Sequence, residues 1–150
     1  MEFDIASFNI YLCLLLGMLF LHIVDDFVLQ PICLSKLKQK ITWDRYCEDK
    51  PLELKRLYKN DYLVATAIHA LSWSVCIMLP WIFMYGGELG WLIFLLVIIN
   101  TIIHAYVDDL KANREKINLK TDQFIHFLQI YVAWACLVVA RTIILFMQFN

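Results

Sequence analysis

Histidine and aspartate recur at a four-residue spacing three times in this chain: His22-Ile-Val-Asp25-Asp26, His104-Ala-Tyr-Val-Asp108 and Asp122-Gln-Phe-Ile-His126. Residues four apart lie on one face of a helix. Each pair therefore offers an imidazole nitrogen and a carboxylate oxygen to the same side. That donor set suits zinc, manganese or iron, and helix bundles build metal sites from such residues on facing helices. The candidate ligands are His22, Asp26, His104, Asp108, Asp122 and His126, with His69 as a further ligand or a proton carrier. Gln30 and Gln123 stand near these pairs and are read as hydrogen-bonding groups that orient the ligands. Lys111, three residues after Asp108, either meets a substrate anion or only carries the charge of its loop, and Lys36 presents the same choice. Asp25 and Asp109 point about 100° away from their neighbours in a regular helix and are read as interfacial charges.

Seven candidate ligands exceed what one four-coordinate ion can use. Either two divalent transition-metal ions share carboxylates, or one ion is held and the remaining groups support it. Two other uses of the same residues stay open: a proton-relay or substrate cavity, and polar contacts that only hold helices together.

These residues sit at the ends of long apolar runs. The chain of 150 residues is 61% hydrophobic and 18% charged, far more apolar than a soluble domain, and its charges are confined to a few blocks. Four stretches, 5–24, 62–84, 89–107 and 124–149, have the roughly 20 apolar residues that a crossing needs. The expected fold is all-α: a polytopic membrane protein, one domain of four spans, with the polar cluster at its cytoplasmic rim. Trp81 and Trp91 fall where an interfacial aromatic belt is expected. Met1-Glu-Phe-Asp4 lacks a basic region, so the first run reads as a retained helix. A net charge of −1 gives no global field that favours nucleic acid. Of the five cysteines, Cys13, Cys76 and Cys136 lie inside apolar runs and read as small packing residues, with no disulfide framework.

Twelve of the thirteen basic residues fall in two segments, 31–61 and 109–122, and the exception is Arg141, which can snorkel to the opposite face. The positive-inside rule makes both segments cytoplasmic loops and puts both termini outside. Spans two and three are then joined by the short turn 85–90. Around Pro51 the first loop reads as a helix start, with Leu54, Leu57 and Tyr58 on one face. That helix either lies on the inner membrane surface against anionic lipid or is a solvated connector. An internal repeat also emerges. In each half an outgoing helix ends in His-Xaa3-Asp, a basic loop follows, and the returning helix begins near a histidine, His69 or His126. Two hairpins of one design, related by an axis along the membrane normal, would give this pattern. On the outgoing helices Asp follows His, and on the last helix it precedes His. All three pairs therefore place Asp at the surface and His one turn deeper.

Together, His22-Xaa3-Asp26-Phe-Xaa-Leu-Gln30, the single histidine of the second span, His104-Xaa3-Asp108-Xaa2-Lys111 and Asp122-Gln123-Xaa2-His126 resemble the small bacterial and phage membrane proteins of the domain of unknown function 3307 family. The resemblance covers 19–127. It implies a bacterial or phage origin and placement in the inner membrane, and it carries no established activity. A looser similarity to four-helix membrane-bound metal-dependent hydrolases implies hydrolysis of a phosphate ester or similar group at the inner leaflet. The rivals are a proton- or cation-coupled transporter, and a non-catalytic membrane interaction protein. Gly17, Ala65, Ala67 and Ala70 are the small residues that a homo-oligomer contact would use.

Overall fold

In the computed structural model, residues 5–149 are described, with side chains from 7 to 148. The N-terminal tetrapeptide and Asn150, whose outward placement the charge pattern predicts, lie outside that range. Every described element is helical: α1 (Ile5–Ile23), a π-helical turn (Val24–Leu29), α2 (Ile32–Leu37), α3 (Lys40–Tyr46), α4 (Leu52–Leu57), α5 (Asp61–Ala112) and α6 (Leu119–Phe149). Three stretches, Ser7–Leu29, Leu52–Ala112 and Leu119–Gln148, are long and apolar enough to cross a membrane. Only 17–22% of their most apolar windows is buried inside the chain. The outer surface is consequently a coat of Phe20, Phe83, Ile102, Phe124 and Val139, and a surface that apolar needs lipid around it.

The turn expected at 85–90 is not a separate loop, because α5 keeps its helical assignment through it. In a straight helix His69 and His104 would be about 52 Å apart, yet their Nε2 atoms are 3.2 Å apart. The long element therefore doubles back between them. The midpoint of that pair falls between Gly86 and Gly87, and no described glycine takes a positive φ there. The two glycines and Gly90 weaken helical stiffness at this point, so the reversal is made by bent helical backbone rather than by a loop.

Aromatic and apolar packing fills the bundle. Met18, Trp73, Ile77, Met78, Trp81, Ile130 and Leu137 are fully buried, and Trp134 Nε1 donates to the Tyr11 carbonyl at 2.8 Å, tying α6 to α1. Trp81 thus belongs to the core and not to an interfacial belt, whereas Trp91 is exposed as expected. Gly17 explains the difference: a Cβ there would lie 3.1 Å from Pro80 Cγ, so the bare glycine lets α1 close over this part of α5. Gly17, Ala65 and Ala70 are used inside the chain, and of the proposed oligomer stripe only Ala67 faces outward. Cys13 and Cys136 are exposed and Cys76 is half-buried, so none is a core packing residue.

The segment 31–61 carries the helix expected after Pro51, α4, and two more short helices, α2 and α3. Pro51 caps α4, whose backbone N–H groups at Leu54 and Lys55 bond the Pro51 carbonyl. The second connection is only 113–118. It leaves α5 through Glu115 at φ 50°, with the Lys116 N–H returning to the Leu110 carbonyl.

Candidate metal centre

The last turn of α1 sets the site's first wall. Beyond His22 the helix widens into π geometry, and Pro31 then ends it, with Gln30 in the extended conformation that a following proline imposes. A π turn advances each residue by less than 100°, and such turns cluster at functional sites. Here the widening turns both Asp25 and Asp26 inward. Asp25 is buried, accepts the Ser72 hydroxyl at 3.0 Å and lies 3.8 Å from His69 Nδ1. The interfacial role read for Asp25 from regular helix geometry is therefore corrected. Asp109 stays at the edge, paired with Arg114 at 2.7 Å.

All four histidines are buried and converge. Two sets of three ligand atoms lie within 4.8 Å of one another, Asp26–His69–His104 and His104–Asp108–His126. The 3.2 Å between the His69 and His104 Nε2 atoms matches the separation of about 3.3 Å that two nitrogens about 2.0 Å from one tetrahedral zinc would show. His104 is clamped between rings, stacked on Trp73 at 4.2 Å and on His126 at 4.1 Å. Its neighbour His126 is oriented by a buried chain. Nδ1 lies 3.1 Å from Gln129 Oε1, and Gln129 Nε2 donates to Asn100 Oδ1 at 3.2 Å. An amide oxygen only accepts, so Nδ1 carries a proton, and Nε2 lies 3.4 Å from Asp122 Oδ1. That Nε2, together with Asp122 Oδ1 and His104 Nδ1, is buried without a hydrogen-bond partner among the described residues. Buried polar atoms left so are costly, and Nε2 of His126, which belongs to the second set of three, is a donor a cation would take. On this ground the residues fit a divalent ion.

His22 and Asp122 join neither set. Trp73 Nε1 donates to His22 Nδ1 at 2.8 Å, and Nε2 lies 3.1 Å from Gln123 Oε1. Because indole only donates, both imidazole nitrogens are engaged and the ring is neutral. His22 is thus a supporting group and not one of the clustered ligands. Asp122 holds Lys111 at 2.6 Å and lies 3.4 Å from His126 Nε2. Lys111 accordingly faces a carboxylate of the chain, with its side chain 36% exposed. Gln123 reaches His22, Asp26 and Asp122 at once. Gln30, with its amide oriented to satisfy both neighbours, donates to the Asp26 carbonyl and accepts from Lys38 Nζ at 2.8 Å.

Several participants escaped the sequence reading. Lys38, not Lys36, enters the site: its Nζ is buried 2.6 Å from Asp108 Oδ2. Asn113 holds it there, donating to the Lys38 carbonyl at 3.2 Å and accepting the Lys40 N–H at 2.7 Å. No local spacing signals that contact, because it joins segments far apart in the chain. Trp73, Ser72 and Gln129 were legible in principle. They follow His69 and His126 by three or four residues, the spacing that shares a helix face. Comparison of the chain with protein-family models, curated proteins and solved structures gives no match.

Proposed function

We propose that this chain is a four-span membrane protein, two hairpins with their polar cluster at the cytoplasmic rim of a bacterial inner membrane, that binds a divalent transition metal. The observation that carries the metal reading is the pair of overlapping His/Asp triads around His104. Supporting it, His126 is held by Gln129 with its Nε2 between Asp122 and Asp108, the arrangement by which outer partners orient metal-bound histidine. The reaction we propose is hydrolysis of a phosphate ester or similar polar group presented at the inner leaflet. A bound metal would lower the pKa of a coordinated water towards ~7 and polarise the scissile group. Asp26, His69, His104, Asp108 and His126 would hold the ion. His22, Gln30, Gln123 and Gln129 would keep those side chains in place. In this reading the resemblance to the domain of unknown function 3307 family supplies the bacterial or phage setting.

The Asn100–Gln129–His126 chain favours a second reading, proton- or cation-coupled transport, because it carries polarity one turn deeper into the bundle. Beyond it the interior is Met18, Ile77, Ile130 and Leu137, all fully buried, which offers no onward path through one chain.

Metal content of detergent-purified protein decides between them. Wild type should carry zinc, manganese or iron, and His104→Ala, folded and monodisperse, should lose it by more than about 100-fold in affinity. A folded wild type that takes up no metal after supplementation would sink the hydrolase reading.

A further inference from the structure

Resting on the metal reading above, we infer that the centre takes one divalent ion seated at His104, and that the ammonium groups of Lys38 and Lys111 supply the charge a second ion would bring. Four histidines and four aspartates form a donor set large enough for a two-ion centre of the kind built in helix bundles. Two independent observations restrict it to one.

The first is geometric. The nitrogen of His104 that faces His69 at 3.2 Å is Nε2, and the same Nε2 faces Asp108 Oδ2 at 3.8 Å. The two triads therefore converge on one lone pair, which serves one ion. The second observation is charge. Asp25, Asp26, Asp108 and Asp122 bring four negative charges, and Lys38 and Lys111 return two positive ones at 2.6 Å contacts. His22 is neutral by its hydrogen bonds, and ligating imidazoles are neutral. The residue of two negative charges lies inside an apolar bundle, where uncompensated charge is costly. One divalent ion cancels it. Two would leave the interior with two positive charges in excess.

The lysines are placed for this task. Asn113 and Gln30 hold Lys38 against Asp108, and Lys111 reaches Asp122 from the last turn of α5. Those two carboxylates flank His126 Nε2, at 3.9 Å and 3.4 Å. The ammonium groups thus neutralise the two carboxylates that a second ion beside His126 would need.

The test is the number of zinc or manganese ions per chain, by plasma mass spectrometry and by titration of the full chain in detergent. Wild type should hold one. Lys38→Met/Lys111→Met, with helical content and elution unchanged, should hold two, and Lys38→Arg/Lys111→Arg should hold one. Lys111→Met alone, at the more accessible lysine, should bind its ion about tenfold tighter, since a cation close by has been removed. Two ions in wild type would overturn the one-ion inference and leave the metal reading standing, whereas none would overturn both. One ion or none in the folded double methionine variant, or unchanged affinity in Lys111→Met, would overturn the role given to the lysines.

Discussion

The two ends of this helical bundle solve the same burial problem with opposite chemistry. Away from the cluster, Tyr11 stacks on Trp81, Trp81 leans on Tyr85, and Arg141 lies over the Tyr85 ring while pairing with Glu88. The buried core there is apolar and aromatic among the described residues. At the other end the same α1, α5 and α6 bury four histidines, three aspartates and a lysine around Trp73, with Asp26 nearly buried beside them. Buried ionic groups are often no more stabilising than apolar ones of similar size. The first end shows that these helices can be sealed without them. The polar end therefore carries more ionisable groups than holding the helices together requires, and this excess is the structural argument for function there.

Asp108→Asn should have the largest effect on the comparison. It removes a candidate ligand and leaves the Lys38 ammonium buried against a neutral amide. In chelator-treated protein the expected loss is about 3–5 kcal/mol of stability, read from thermal unfolding in detergent. Adding Lys38→Met should recover most of that loss without restoring metal affinity. A single variant as stable as wild type would show that Lys38 does not need Asp108. At the apolar end, Trp81→Ala should cost about 3–5 kcal/mol by opening a cavity, with metal content per folded chain unchanged. If metal were lost there too, the two ends would not be separate units.

Gln129→Leu is a finer probe. It keeps the volume but removes the acceptor that fixes the His126 tautomer, so metal affinity should fall by about 10- to 100-fold. The Asn100 side chain then loses its partner as well. Asn100→Leu/Gln129→Leu should therefore be more stable than the single variant while binding metal no better. Unchanged affinity in Gln129→Leu would mean that His126 is held by its packing alone.

How much of this was legible in the sequence follows from the range of the contacts. His22, Asp26, His104, Asp108, Asp122 and His126 could be found because helix geometry turns a four-residue spacing into a shared face. Their apolar surroundings raised the cost of leaving them unpartnered. The four-residue rule misplaces Asp25 because it assumes α geometry, and the π turn at Val24–Leu29 breaks it. Lys38 was passed over because Asn113, far away in sequence, decides where it lies. The sequence places Trp81 at the membrane interface because the long-range packing that buries it, Tyr11 and the Gly17–Pro80 approach, has no local signal. The helical character of 85–90 was missed because a glycine pair in a short polar stretch reads as a turn. The reversal that turn was meant to provide is nonetheless made within α5.

Arg141→Met should have the smallest effect, and it tests whether the apolar end depends on the Arg141–Glu88 pair. Glu88 is 45% exposed, so water and lipid headgroups can solvate it when the guanidinium is gone. Exposed pairs of this kind contribute about 0–1 kcal/mol, and a cation over an accessible aromatic ring adds about 0.5–1 kcal/mol. Methionine keeps most of the apolar stem that lies against Tyr85. The expected change is a loss of about 0.5–2 kcal/mol in thermal unfolding, with metal stoichiometry and affinity untouched. A loss several times larger, or any change in metal binding, would mean that the bend in α5 beside Glu88 is fixed by this pair. The spacing of His69 and His104 at the far end of the same element would then depend on it as well.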